Sequence, residues 1–146
     1  ARAAGKWRPK LITVRNLFAA PVLEPRSEAW FAQNLAAFNQ AYDYTAVMAM
    51  PWMEKSRDPQ AWMDQLLAEV KQSPRGLSRT IFELQTVDWR NERPIPAARL
   101  KAMAHRLQAG GARHLAWYPD NFIDDQPSTR DAREIMSARG FPYIER

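Results

Sequence analysis

The side chains best suited to chemistry lie in residues 79–89, which read RTIFELQTVDW. The segment opens with β-branched and apolar residues, as a buried strand does, and then places Glu83, Gln85, Asp88 and Trp89 close together. Core strands of α/β proteins are near-continuous apolar runs, so a carboxylate and an amide inside one must be partnered or must face a cavity. Acidic and aromatic groups at the end of a strand are what a carbohydrate site needs. We therefore expect a strand that ends at a polar, aromatic-lined face, which would suit a sugar site.

Two other segments carry a similar combination of groups. Tyr118, Asp120 and Asn121 come at the end of and just after the strand-like run HLAWY, and Trp52 follows the apolar run 44–50. Aromatic rings can stack on sugar rings, and carboxylates or amides can bind hydroxyl groups. Each group also has a structural alternative, because Asp and Asn are ordinary turn residues and tryptophans, Trp89 included, are often part of a core. The sequence leaves both alternatives open.

Hydrolysis of a glycosidic bond requires two carboxyl groups that flank the bond, about 5 to 10 Å apart. Glu54, Glu83, Asp88 and Asp120 are candidates, but spacing along the sequence does not select a pair. Arg15 matches Glu83 in position along the predicted strands. If these strands share a register, Arg15 and Glu83 face the same interior layer, either as a buried ion pair or as a clamp for sugar hydroxyls.

The composition excludes several kinds of site. The chain has no cysteine, which removes disulfides and cysteine-ligated metals, and its two histidines fall on a predicted helix and a predicted strand, a poor metal pair. No GxSxG, GxGxxG or Walker motif is present. The net charge is +5 with the basic residues spread out, which does not favour a nucleic-acid groove. No apolar run approaches the ~20 residues of a membrane span.

Four strand–helix units position these groups. Their predicted strand midpoints fall near Val14, Met48, Phe82 and Ala116, an interval of about 34 residues that suits βαβ units and a parallel sheet. Two architectures fit, a small doubly wound sheet and half of an eight-stranded barrel. In both, the site lies at the carboxyl ends of the strands.

Helical periodicity and capping residues predict the helices. Ser27 can cap a helix, and a single apolar face after it predicts one helix there. Asp58 followed by proline predicts the start of a second helix. Ser128 with Asp131 predicts the start of the last helix, and Gly140 predicts its end. The residues of the apolar face after Ser27 are Phe31, Leu35, Phe38 and Tyr42.

Five blocks, in order along nearly the whole chain, resemble the C-terminal part of the PgaB family of bacterial poly-β-1,6-N-acetyl-D-glucosamine N-deacetylases. These blocks are RNLFAAPVLEP, EAWFAQNLAAF, YDYTAVMAMPWME, FELQTVDW and YPDNFIDDQP. The resemblance implies a two-domain periplasmic protein anchored to the outer membrane and involved in export of biofilm exopolysaccharide. Its N-terminal domain is a metal-dependent deacetylase, and its C-terminal (β/α)8 barrel binds and hydrolyses the partly deacetylated polymer.

The resemblance assigns residues 1–146 to the second half of that barrel, with four consecutive βα units. It implies a groove lined by Trp89, Tyr118, Asp120 and Asn121, and no cofactor in this segment, because the metal belongs to the deacetylase domain. The Asp-rich catalytic stretch of the family lies upstream and is not matched here. We therefore expect that the chain binds the polymer, that it lacks the catalytic Asp, and that the rest of the barrel or another copy of the chain covers its open sheet edges.

Overall fold

The structure, a computed structural model, describes residues 2–136, so the predicted helix end at Gly140 lies outside the described residues. The helices are α1 (Arg2–Trp7), α2 (Ala20–Leu23), α3 (Glu28–Phe31), α4 (Leu35–Ala41), α5 (Pro59–Gln72), α6 (Gly76–Arg79), α7 (Ala97–Ala109) and α8 (Thr129–Met136), with a 3-10 turn at Pro25–Ser27. The strands are β1 (Val14–Leu17), β2 (Tyr44–Ala49), β3 (Thr80–Gln85), β4 (Val87–Asp88), β5 (Arg93–Pro94) and β6 (His114–Tyr118).

Four of the strands form one parallel sheet in the order β1-β2-β3-β6. This confirms the four predicted βα units and their parallel arrangement. The short strands β4 and β5, which the sequence did not predict, pair antiparallel within the connection that follows β3.

The two faces of the sheet differ in what covers them. Leu17, Val47 and Phe82, side by side in the register, are fully buried in one core cluster with apolar side chains of α5 and α7. Alternate residues point to the opposite face, where Met48 and Glu83 stay half-buried and lie outside that cluster. A doubly wound sheet carries helices on both faces, whereas a barrel carries them on the outside only. The arrangement is that of a barrel wall with its interior face open.

The prediction that Arg15 and Glu83 share an interior layer is wrong. Arg15 pairs with Thr45 and, through it, with Thr80, whereas Glu83 lies three residues further along β3, on the opposite face of the sheet. The Arg15 guanidinium instead lies 5.7 Å from the ring centroid of Phe38. The prediction assumed a uniform interval of about 34 residues, whereas the paired residues are 30, 35 and 33 positions apart at the three strand pairs.

The predicted single helix after Ser27 is also wrong. Ala32 has φ of +49°, a left-handed conformation that ends α3, and α4 begins three residues after it. The cap of α4 is Asn34, whose side-chain oxygen accepts a hydrogen bond of 2.8 Å from the Ala37 N–H, whereas Ser27 makes no capping bond. An extended residue with a short polar side chain favours the start of a helix, so Asn34 begins a new helix after the break at Ala32.

The other predicted helix starts are confirmed. Asp58 accepts hydrogen bonds of 3.0 Å from the backbone N–H groups of Gln60 and Ala61 at the start of α5. Ser128 accepts one of 3.1 Å from the Asp131 N–H at the start of α8. These caps satisfy donors that the helices cannot pair internally, so they define where each helix begins.

The amino ends of β1 and β2 are joined by a reciprocal pair of side chains. The Asp43 carboxylate accepts hydrogen bonds of 2.8 Å from both the N–H and the hydroxyl of Thr13, and the Thr13 hydroxyl accepts one of 3.2 Å from the Asp43 N–H. Arg79 also donates to the Asp43 carbonyl at 2.9 Å. The bonds from Thr13 hold the pKa of the Asp43 carboxyl below its usual value.

Stability in acid should therefore depend on Asp43. Because its pKa is lowered on folding, its contribution is present above the usual value of 3.8 and is lost as the pH falls through the lower folded value. We expect Asp43→Asn to lower the urea midpoint of unfolding at pH 6, with a difference from the wild type that shrinks below pH 4. Asp120→Asn, at an exposed carboxylate, is the control. A difference between Asp43→Asn and the wild type that stays constant down to pH 2.5 would contradict the assignment.

Candidate functional site

Two aromatic rings meet at the carboxyl ends of neighbouring strands. Trp89 follows β3 through the short strand β4, and Tyr118 is the last residue of β6, which pairs with β3. Their ring centroids are 6.1 Å apart with planes tilted by 46°, and the residues are 40% and 52% exposed. Aromatic residues that are packed against each other and still open to solvent offer a rigid apolar surface to a sugar ring. The structure thus brings together two of the residues that the sequence singled out.

The connection carrying Trp89 is held by an ion pair. Asp88 is 7% exposed, and its carboxylate accepts hydrogen bonds of 2.8 and 2.6 Å from Nε and Nη2 of Arg90 and one of 3.1 Å from the Arg90 N–H. The hydrogen bonds from Arg90 lower the pKa of Asp88. Both carboxylate oxygens are engaged, so Asp88 fixes the turn on which Trp89 sits. Its predicted contact with a ligand stays a prediction.

The polar groups of β3 divide into a partnered one and an open one. Gln85 is fully buried, accepts a hydrogen bond of 3.1 Å from the Met53 N–H and donates one of 2.7 Å to the Val87 carbonyl. It therefore ties the connection after β2 to the connection after β3, as a satisfied buried amide should.

Glu83 has no such arrangement. Its side chain lies on the open face of the sheet, beside Met48 and Ala116 in the register. One carboxylate oxygen is buried and accepts no hydrogen bond from the described residues, and this burial raises the pKa of Glu83. A half-buried carboxyl group with a raised pKa is suited to hold a proton or to bind a cation or a donor brought by another group.

The connection after β6 is exposed and rich in acids. Asp120 and Asn121 both lie open to solvent, and Asn121 donates a hydrogen bond of 2.7 Å to Asp124. Thr86 fixes the start of this connection, because its N–H donates to the Tyr118 carbonyl at 3.0 Å and its hydroxyl donates to the Pro119 carbonyl. Asp120 also lines a depression of about 610 Å³ beneath the connection. Tyr118 thus packs against the Trp89 ring, and Asp120 and Asn121 follow Tyr118 on the same connection.

Two predicted site residues lie elsewhere. Trp52 is 6% exposed and belongs to the hydrophobic core, so its ring does not take part in the exposed aromatic surface. Arg15 is exposed on the helix side of the sheet, as described above. Glu54, a candidate carboxylate, is half-buried, and burial together with the nearby Glu24 raises its pKa.

An exposed tryptophan in a connection after a strand was missed. Trp30 was not among the predicted site residues, but it is 92% exposed on α3, within the connection that leaves the carboxyl end of β1. The signal available in the sequence was its place in a connection after a strand, where the other aromatic candidates also lie.

Neither a metal site nor a membrane span is found in residues 2–136. No group of three or more His, Asp or Glu side chains in this part of the chain is placed to hold a metal ion. No helix there combines the length and the apolar character needed to cross a bilayer.

Comparison with known proteins gives consistent matches. The family model described as "Hypothetical glycosyl hydrolase family 13" matches residues 1–118. Poly-beta-1,6-N-acetyl-D-glucosamine N-deacetylases from two strains of Escherichia coli are 40% identical over 147 aligned residues, which cover 97% of this chain and 22% of theirs. The chain thus spans about a fifth of the length of these relatives.

A solved structure matches the fold as well as the sequence. The PgaB (BpsB) glycoside hydrolase domain from Bordetella bronchiseptica superposes with a TM-score of 0.87 at 42% identity, over 94% of this chain and 39% of that one. This confirms the predicted resemblance to PgaB and identifies the four βα units as part of a TIM-type barrel. The chain belongs to the hypothetical glycosyl hydrolase family 13 and corresponds to part of a PgaB-like glycoside hydrolase domain.

Proposed function

We propose that this chain forms the sugar-binding rim of an enzyme that hydrolyses partly deacetylated poly-β-1,6-N-acetylglucosamine during exopolysaccharide export. The observation that carries the proposal is the exposed pair of Trp89 and Tyr118 at the carboxyl ends of β3 and β6. In a TIM-type barrel this end of the sheet carries the active site. The names of the relatives support the substrate, because they describe a poly-N-acetylglucosamine deacetylase and a glycoside hydrolase domain.

Each part of the rim suits a different part of the polymer. Trp89 and Tyr118 would stack on the apolar faces of successive sugar rings, and the exposed Trp30 would extend this surface across the sheet. Asp120 lies beside Tyr118 on an exposed connection, where a carboxylate would bind the ammonium group of a deacetylated sugar. The net charge of +5 does not favour a cationic polymer, so this attraction would be local.

The second carboxyl group of the catalytic pair would lie outside the described residues. Hydrolysis needs two carboxyl groups, and Asp88 is already bound by Arg90. Glu83 remains the better candidate within the described residues, because one oxygen of its carboxyl is buried without a hydrogen bond from them, its pKa is raised and it faces the barrel interior. Its partner would lie on the segment that closes the barrel.

The unpaired edges of the sheet also indicate that a further segment covers them. Strand β1 has only β2 as a neighbour among the described strands, and β6 has only β3. Leu11, Ile12 and Val14, at and before β1, are 46%, 68% and 50% exposed. Open parallel edges beside exposed apolar side chains are stable when they are covered. The cover would be the rest of the barrel or a second copy of the chain, in a periplasmic protein held at the outer membrane by another segment.

A second candidate function is a binding module without hydrolytic activity. The specific observation that favours it is the pairing of Asp88 with Arg90, which engages both oxygens of the carboxylate next to Trp89.

One assay tests both proposals. The chain is incubated with partly deacetylated oligomers of defined length, alone and joined to the preceding part of a PgaB-like domain, and the products are sized by mass spectrometry. Binding is measured in parallel by calorimetry, with fully acetylated oligomers as a control. We expect binding in both cases and shorter products only from the joined protein. Binding without cleavage by the joined protein would leave the binding module, and absence of binding would reject both.

A further inference from the structure

A second cavity lies between helices α5 and α7, on the outer side of the sheet. Its volume is about 750 Å³, within the range of small-molecule sites. Both helices belong to the central βα units, which follow β2 and β3. The cavity is therefore remote from the two open edges and does not depend on whatever covers them. Its apolar wall is made by Trp52, Met63 and Met103, which are 6%, 1% and 6% exposed.

The mouth of this cavity carries positively charged side chains. Arg57, Arg99 and Arg106 line it, together with His105. Arg106 is neutralised by a two-point ion pair with Asp64 across the two helices. Arg57 and Arg99 form no ion pair with any residue in the described part of the chain.

The one acidic lining residue offsets only part of this charge. Asp58 accepts the two N-terminal hydrogen bonds of α5 through Oδ1, from Gln60 and Ala61, and its charge helps to raise the pKa of Arg106. One carboxylate can balance at most one of the two arginines that form no ion pair. The cavity thus keeps a net positive charge beside a wall of buried thioether and indole groups.

Its chemistry differs from that of the sugar rim. A deacetylated sugar brings an ammonium group, which a pair of guanidinium groups repels. A guanidinium binds phosphate or carboxylate through two parallel hydrogen bonds, and methionine side chains adapt to irregular apolar groups. The cavity therefore suits a ligand of opposite charge to the polymer.

We propose that the cavity between α5 and α7 binds a small amphiphilic anion. Its phosphate or carboxylate head would lie between Arg57 and Arg99, and its apolar part would lie on Met63 and Met103 with Trp52 at the inner end. The site would be separate from the aromatic rim and independent of hydrolysis, because none of these five residues takes part in the rim.

The test uses hexyl phosphate, hexanoate, inorganic phosphate and hexanol as probes, titrated into the full chain and followed by calorimetry and by NMR of the Arg Nε–H groups. Hexyl phosphate and hexanoate distinguish a phosphate head from a carboxylate head. We expect at least one of these two to bind, and to bind more tightly than phosphate or hexanol. Removal of one charge-assisted contact, in Arg99→Ala, should lower the affinity about tenfold.

Matched variants decide the outcome. Arg57→Ala with Arg99→Ala should abolish binding, while Arg113→Ala, at an exposed arginine outside the lining, should leave it unchanged. Arg57 and Arg99 are exposed, and the unfolding midpoint of each variant is measured to show that it is folded. Equal affinity of the double variant and the wild type would overturn the proposal. So would hexanol binding as tightly as both hexyl anions, or the absence of binding by either hexyl anion.

Discussion

Replacing Gly76 by alanine is expected to lower the free energy of unfolding by about 3 kcal/mol, at the upper end for overpacking a filled site. A Cβ atom at this position would lie 1.7 Å from the carbonyl oxygen of Val70 and 2.8 Å from its carbonyl carbon. These are backbone atoms of α5 and cannot rotate away as a side chain can. The variant must therefore separate the end of α5 from α6, the helix that leads directly into β3.

Two other glycines serve as graded controls in the same urea-unfolding measurement. The closest atom to a Cβ at Gly110 would be the Cδ2 of Leu67 at 2.2 Å, with the next atoms at 3.4 Å, and the Leu67 side chain can turn, so the loss should be smaller. A Cβ at Gly5 in α1 meets nothing within 4 Å, so Gly5→Ala should leave stability unchanged or slightly raise it. A Gly76→Ala protein as stable as the Gly5→Ala protein would show that α5 and α6 are not held in this contact.

Local sequence signals predicted strands and helix starts correctly where the deciding interactions lie within one segment. The apolar run at 44–50 became β2, and Asp58 and Ser128 cap the helices that they were expected to begin. In each case the deciding interactions join residues within a few positions of one another. Periodicity and capping chemistry describe such interactions well.

Features that depend on contacts between distant parts of the chain could not be predicted from local sequence signals. The register between strands is set by which faces are buried together, and the unequal offsets of 30 and 35 residues at the first two strand pairs place Arg15 and Glu83 on opposite faces. The burial of Trp52 depends on the packing of α5 and α7, which no property of residues 51–54 encodes. The ion pair of Asp88 with Arg90 is local in sequence, but it requires the turn that β4 and β5 impose.

The two polar positions of β3 show how the site and the fold are connected. Gln85 satisfies backbone groups from the connections after β2 and β3, so it serves the scaffold that carries Trp89. Glu83, two residues earlier on the same face, leaves one buried carboxylate oxygen without a hydrogen bond from the described residues. This oxygen can accept a donor from outside these four units. The strand thus supplies the support of the rim and an acceptor for a ligand or a neighbouring segment.

Replacing Trp89 by alanine should weaken binding of partly deacetylated oligomers by about 1 kcal/mol or more, roughly a fivefold loss of affinity, if its ring stacks on a sugar. The side chain is 40% exposed and its ring lies 6.1 Å from that of Tyr118, so the substitution removes an exposed surface and leaves the core intact. Calorimetry with oligomers of defined length measures the affinity, and urea unfolding measures the stability of the same variant.

Two further substitutions separate stacking from packing at this position. Trp89→Phe retains an aromatic face and should recover part of the affinity, whereas Trp7→Ala removes an 83% exposed indole on α1 and should change nothing. The Asp88–Arg90 pair, which holds the turn through the Arg90 backbone and side chain, remains in all three variants. A loss of affinity in Trp89→Ala then reports the missing ring. Unchanged affinity with a lowered free energy of unfolding would instead make Trp89 a packing residue and leave the rim without its aromatic platform.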